Sequence, residues 1–356
     1  MKLEHRHPAV ARLLANQARG GAFPASPNFS QYPYCWLRDG TFTAYALDVS
    51  GEHEAADRFY LWVADVTARL GPRVAALVSH RNLGEPIPER GFLPARFALT
   101  GDPLGDDWPN FQLDGYGQWL WGLGEHLTRI GSSRIPLEFQ SGVEVTLEYL
   151  EHFWDEGCYD CWEEFPYRWH TSTLASLYGG VQAMVRFEPR LEHLAGRIRA
   201  FTLEHCVQDG ALVKFAGYPV PDASLLWAAV PFGLLAPNDP IFLETLERIE
   251  ERLLDGGVHR YEHDTYYGGG GWVLLTAWLG WVYVRLGRQR DAKRMLEWVR
   301  AQDGEFGLPE QTSQKLFNPA YHDYWRTRWG EPARPLLWSH AMQIVLETEL
   351  NGETTA

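Results

Sequence analysis

Six consecutive residues, Tyr159-Asp160-Cys161-Trp162-Glu163-Glu164, set two neighbouring carboxylates beside an indole in a stretch that reads as a loop. Helical patterning stops near Trp154, Gly157 interrupts it, and it resumes only around Thr171. Adjacent side chains on a loop can point in different directions, so one carboxyl can address a bond while its neighbour holds a hydroxyl. The indole offers a flat apolar face to a sugar ring and dries the space around it. A carboxyl in such surroundings keeps its proton to higher pH and can donate it. A solvated acidic turn with one buried aromatic would carry the same letters. A second acidic segment far along the chain, Gly307-Leu308-Pro309-Glu310-Gln311, favours the chemical reading, because cleaving a glycosidic bond takes a pair of carboxyl groups.

Something must hold these two loops together, and the patterning supplies helices. Apolar spacing predicts helical windows over 5–17, 39–50, 52–70, 112–130, 135–154, 171–187, 189–206, 222–234, 239–254, 271–286, 288–302 and 335–350. No window alternates strictly, so a sheet is not expected to organise the fold. The stretches 70–111 and 303–334 read as long loops, a length usually reserved for function. A degenerate repeat points to helical hairpins: Gly51, Ala56, Arg58, Trp62 and Val63 recur at the same spacing as Gly287, Ala292, Arg294, Trp298 and Val299. Twelve helices in six pairs imply an all-α fold, an (α/α)6 barrel. Its inner ring would be 39–50, 112–130, 171–187, 222–234, 271–286 and 335–350, with the N-terminal helix as outer partner of the last. Both acidic segments then lead into inner helices at one mouth of the barrel.

The bulk composition bounds the rest. The 356 residues, 45% hydrophobic and 22% charged, are those of a folded chain that can form one large domain or two ordinary ones. Aromatic content is high, with 16 Trp, 16 Tyr and 17 Phe, which suits both core filling and stacking on sugars. A net charge of −14 and the lack of any Lys/Arg run exclude a nucleic-acid partner. No apolar run is long enough to span a membrane, and Met1 to His7 contain no secretory h-region, so a cytoplasmic location is expected. Cys158 and Cys161 form a single CxxC with no second pair; together with Cys35 and Cys206 they are expected to be free thiols. The thirteen His show no metal-ligand spacing. No metal and no cofactor are predicted, and the oligomeric state, monomer or homodimer, is left open.

Five blocks in order resemble glycoside hydrolase family 15, the glucoamylase family, over nearly the whole chain. Tyr32-Pro33-Tyr34-Cys35-Trp36-Leu37-Arg38-Asp39 is similar to the family's aromatic-x-W-x-R-D. The resemblance implies that Arg38 and Asp39 bind hydroxyls of the terminal glucose, with Tyr32 near the base and Trp36 in the substrate site. A fork of donors beside acceptor-only oxygens suits vicinal hydroxyls. Trp108-Pro109-Asn110-Phe111-Gln112-Leu113-Asp114 is like W-x-x-x-Q-x-D, which implies that Trp108 stacks near the catalytic acid. In the third block the resemblance implies Glu163 as general acid, Glu164 on a hydroxyl of the leaving sugar, and Trp162 beside them.

The fourth block, Arg260-Tyr261-Glu262-His263-Asp264-Thr265-Tyr266-Tyr267 and then Gly268 to Gly271 and Trp272, implies that Arg260 and Trp272 face substrate, Arg260 at the entrance. The glycine run follows no strand and precedes no Lys-Ser/Thr, so it reads as a close backbone approach and not a phosphate loop. The fifth block, Leu308-Pro309-Glu310-Gln311 with Leu337-Trp338-Ser339-His340 beyond, implies Glu310 as general base. The chain departs from the family in beginning almost at the barrel and in an aromatic insertion over 321–334, expected to cover the leaving-group side with Tyr321, Tyr324, Trp325 and Trp329.

The expected activity is therefore an inverting, exo-acting α-glucosidase on short α-1,4- or α-1,6-linked oligosaccharides such as maltose or isomaltose, with the two carboxyls about 6.5–9.5 Å apart. A trehalose hydrolase of the same family is the alternative. A non-catalytic sugar-binding or regulatory barrel is a third reading, and both Glu163 and Glu310 argue against it. Phosphorolysis would need an anion pocket where Glu310 stands.

Overall fold

The structure, a computed structural model, describes residues 7–352. The first two positions of the 5–17 window lie outside the described residues. The helices are α1 (Pro8–Ala15), α2 (Leu37–Val49), α3 (His53–Arg69), α4 (Gly71–Asn82), α5 (Asp114–Arg129), α6 (Leu137–Phe153), α7 (Thr171–Val185), α8 (Leu191–His205), α9 (Pro240–Leu253), α10 (Val273–Arg285), α11 (Gln289–Ala301), α12 (His322–Trp329) and α13 (Leu337–Gly352). Strands among the described residues are two-residue antiparallel pairs, such as Cys35–Trp36 with Arg96–Phe97.

α2, α5, α7, the 3-10 segment Ala223–Ala228, α10 and α13 each pack on the next, and α13 returns to α2. Helices α3, α6, α8, α9 and α11 lie outside this ring, and α1 closes it against α13. The result is an (α/α)6 barrel. Inner helices are buried nearly all round, as for Val273 to Val284 in α10 and Leu37 to Asp48 in α2. Such a helix carries no polar stripe, while α9 and α11 bury only one face. The barrel interior is plugged by aromatics: Phe42 lies 4.7 Å from Trp278 and 5.6 Å from Trp338 between ring centroids.

The repeat marks two hairpins, as its spacing suggested. Gly51 and Gly287, at φ of 84° and 70°, end α2 and α10 in the left-handed region, and α3 and α11 begin two residues later. Two inner helices meet through glycine. A Cβ at Gly117 would stand 2.4 Å from the Ser176 carbonyl oxygen, and one at Gly180 2.1 Å from that of Gly117. The backbones of α5 and α7 therefore touch directly.

Three expectations need correction. The window 222–234 is not an α-helix: only Ala223–Ala228 is helical, and as 3-10, because Pro231 lacks an N–H and disfavours helical backbone before it. The stretch 70–111 is not all loop: it holds α4, which Pro72 in the first turn helps to start. The stretch 303–334 holds α12, whose polar and aromatic residues show no apolar periodicity.

Gly117→Ala is expected to lower stability by about 1–3 kcal/mol through overpacking, or more if the helices cannot part. A denaturant midpoint unchanged from wild type would show that α5 and α7 can separate freely.

Candidate active site

Trp36, Trp272 and Leu336, the residues just ahead of α2, α10 and α13, border one cavity together with the loop into α7. The loop into α7 carries Glu163. Asp160 organises it by accepting hydrogen bonds from the backbone N–H of Trp162 at 3.0 Å and of Glu164 at 2.8 Å. The tight turn leaves Glu163 at φ 67°, a conformation that costs a non-glycine residue and persists only where its surroundings enforce it. Its Oε1 accepts from the Trp36 indole at 2.6 Å and from the Gln112 amide at 3.2 Å, leaving Oε2 free of both. Below the turn, Lys214 is buried between Asp160 at 2.9 Å and Asp222 at 2.5 Å. Burial opposes its charge, but the two carboxylates outweigh burial and raise its pKa. Asp222 also holds the Trp162 indole N–H at 3.1 Å.

Glu310 lies at a bend just ahead of Gln311, which bridges to Trp272. Its N–H donates to the Ala333 carbonyl at 2.9 Å, and its own carbonyl accepts from the Val273 N–H at 3.2 Å. From α13, Ser339 donates to the Pro309 carbonyl at 2.8 Å, and His340 Nε2 accepts the Leu308 N–H at 2.9 Å. Burial lowers the His340 pKa to about 3, which keeps that nitrogen an acceptor. The glycine run explains itself here: a Cβ at Gly270 would sit 1.9 Å from the Thr312 carbonyl oxygen. The Glu310 side chain is buried, with Oε2 unpartnered. Burial raises its pKa to about 8, against the pull of Arg260 and of hydrogen bonds from Tyr32 and Tyr266.

Two cation-acid groups stand between these carboxyls. Arg38 binds Asp114 at 3.0 Å and Gln112 at 2.9 Å but approaches Asp39 only to 3.6 Å, and its Nε is buried without a partner. Burial raises Asp39 to about 7; Arg38 does not fully offset it, and Glu163 adds to it. Arg260 is clamped by Asp264 at 2.7 Å and reaches Glu164 at 3.3 Å, while Tyr261 donates to the same carboxylate. Burial raises Glu164 despite Arg260.

Tyr32, Trp36, Arg38, Asp39, Trp108, Trp162, Glu163, Glu164, Arg260, Trp272 and Glu310 all line one cavity of about 550 Å³. Its wall holds buried polar atoms with no protein partner, including the indole N–H groups of Trp108, Trp272 and Trp338. A polyhydroxylated ligand can satisfy such groups. Trp108 is one layer removed from the carboxyl: it packs edge-on to Trp36, 6.0 Å between centroids, and Trp36 makes the bond to Glu163. Arg260 is not at the entrance. It is 2% exposed, boxed by Trp162, Tyr261, Tyr266 and Trp272, because Asp264 draws it inward. Of the insertion's aromatics, Trp325 and Trp329 line the cavity with Arg328, whereas Tyr321 and Tyr324 point to solvent.

Sequence reasoning passed over Gln112 and Tyr266, although both lie inside the quoted motifs. Lys214 and Asp222 carried no signal. Among the described residues, no three His, Cys, Asp or Glu side chains gather as metal ligands, and no helix is long and apolar enough to cross a membrane.

Comparison with known proteins places the chain among glycoside hydrolases. Residues 9–318 match the model of the glycosyl hydrolases family 15. The chain is 41% identical to an isomaltose glucohydrolase of Kribbella flavida, over 97% of this chain and 91% of that one. A solved glycosidase variant in complex with glucose superposes with a TM-score of 0.93 at 40% identity, covering 96% of this chain and 95% of the other. A trehalase of Sulfolobus acidocaldarius is 27% identical over 78% of this chain and 50% of its own length.

The raised Glu310 pKa has a consequence for stability. In the unfolded chain the group ionises near its ordinary value, while the fold favours its protonated form, so stability is lost as pH rises from about 4.5 to about 8. Glu310→Gln removes that cost. The variant is expected to match wild type near pH 4.5 and to exceed it by on the order of a few kcal/mol at pH 8 and above. A pH-independent difference in melting temperature would contradict this.

Proposed function

The chain belongs to the glycosyl hydrolases family 15, and from that premise we propose that it is an inverting, exo-acting α-glucosidase releasing β-glucose from the non-reducing end of short α-glucosides, isomaltose foremost. One observation carries the chemistry: Glu163 and Glu310 open on a single cavity whose walls are indoles and buried hydrogen-bonding groups. Glu163, with Oε1 held by Trp36 and Gln112, presents Oε2 to protonate the glycosidic oxygen. Glu310 takes a proton from a water on the opposite face of the sugar, and that water attacks C1. A separation of about 6.5–9.5 Å would leave room for it. Arg38 and Asp39 grip hydroxyls of the terminal glucose, and Glu164, buttressed by Arg260, holds the leaving sugar.

Isomaltose is favoured by the 41% identity to an isomaltose glucohydrolase over nearly the full length of both chains. The trehalase relative is more distant and matches over half its length, which makes trehalose the second choice. All four cysteines are free and buried, in keeping with a reducing compartment such as the cytoplasm.

With its pKa raised to about 8, Glu310 is mostly protonated in the empty enzyme at neutral pH. Substrate hydroxyls and the attacking water donate hydrogen bonds to its ionised form and pull the pKa down. The acid limb of kcat/KM should therefore lie at higher pH than that of kcat, both limbs belonging to the carboxyl pair jointly. Coincident acid limbs would contradict that account.

Glu163→Gln and Glu310→Gln are each expected to lower kcat by about 10²–10⁴-fold with the circular dichroism unchanged. Near wild-type turnover by either variant would overturn the assignment. Proton NMR during isomaltose cleavage should show β-glucose first, and α-glucose first would rule out inversion. kcat/KM should rank isomaltose above maltose, trehalose and maltoheptaose; a steady rise with α-1,4 chain length would refute a short site.

A further inference from the structure

Behind the segment that carries Glu310 lies a second cleft of about 740 Å³. The chain bends at Glu310 and bridges to Trp272 at Gln311, so neighbouring residues of this segment border different spaces. Glu310 opens on the catalytic cavity, while Pro309 and Gln311 face the cleft. Trp329 of α12 borders both spaces.

The lining has a distinct chemistry. Gln311 is 2% exposed, and its Oε1 accepts the Gly270 N–H at 3.0 Å. That bond fixes which end of the amide is oxygen, and the buried Nε2 has no protein partner. Around it stand the amides of Asn28, Gln302 and Gln314 and several hydroxyl side chains. Aromatic faces come from Trp329 and from Phe306, which is 60% exposed. The acid on the rim, Glu331, is taken up by Arg326 at 2.5 Å. One guanidinium, Arg334, is too little positive charge for a phosphate site, and nothing here offers a carboxylate cluster to a cation. Neutral donors and acceptors in a lining that also holds aromatic side chains match a neutral polyol ring, which hydrogen-bonds through its edge and stacks through its face.

We propose that this cleft is a second, non-catalytic binding site for a neutral glucoside, separated from the catalytic cavity by the Pro309-Glu310-Gln311 segment. Its own lining carries the inference, independently of the roles given to Glu163 and Glu310.

The test uses the full chain with Glu163→Gln, so that isomaltose persists, and isomaltose as the probe. Titration calorimetry should resolve two sites, and crystals soaked in isomaltose should hold one saccharide in each space. Adding Phe306→Ala and Gln314→Ala, both at exposed positions, should weaken the second site at least tenfold. The first site should be unmoved, as should isomaltose hydrolysis in the same double variant carrying Glu163. A single-site isotherm, a second site indifferent to the double variant, or a sugar found at crystal concentration only would overturn the proposal. Binding in the cleft without binding in the catalytic cavity would count against the hydrolase reading and leave the cleft standing.

Discussion

The Lys214 ammonium, buried between Asp160 and Asp222, holds the site together. Asp160 shapes the turn that forces Glu163 into a left-handed backbone. Asp222 caps the fourth inner segment through the Ser224 N–H at 2.8 Å and holds the Trp162 indole. One cation thus ties the loop bearing one carboxyl to the ring that carries the rest. Removing a single member of such a buried group leaves charge without compensation, which costs about 3–5 kcal/mol. The strained turn persists because these bonds over-determine it.

The same low-dielectric setting creates a standing conflict. Asp39, Glu164 and Glu310 are all pushed toward their protonated forms, chiefly by burial; Arg38 and Arg260 push back, with Lys214 acting on Glu164 and hydrogen bonds from Tyr32 and Tyr266 on Glu310. Those guanidiniums are held by Asp114 and Asp264, so they cannot fully neutralise the carboxyls that face the cavity. A fold that only maximised stability would replace such groups. Their persistence beside unpartnered indole N–H groups fits a surface made to receive hydroxyls.

Helices hold position and loops supply chemistry in this molecule. Inner helices can come close enough to form a narrow ring because glycine sits where α5 and α7 touch. Much of the cavity wall comes from loops ahead of the inner segments, the first turns of α2 and α13 add Arg38, Asp39 and Trp338, and α12 adds Trp325, Arg328 and Trp329 over one side. Trp325 is fixed by its bond to the Thr265 carbonyl at 2.9 Å and by edge contact with Tyr266, so this side of the cavity is built by packing between two distant loops.

Much of the architecture was legible because it is local. Apolar periodicity marks eleven of the barrel's helices, and a glycine after α2 and after α10 marks two hairpins by turn chemistry alone. The family resemblance named the proposed site residues, and the fold brings all of them to one cavity. The 3-10 segment and α12 escaped, since a proline overrode the first pattern and the second has none. What tertiary structure alone decided is electrostatic: that Lys214 serves Asp160, that Trp36 reaches Glu163 across 127 residues, that Arg260 lies inside, and that Glu310 titrates near 8. Periodicity and turns depend on neighbours in the chain, whereas a charge responds to whatever the fold brings within a few ångströms and to how much water it removes.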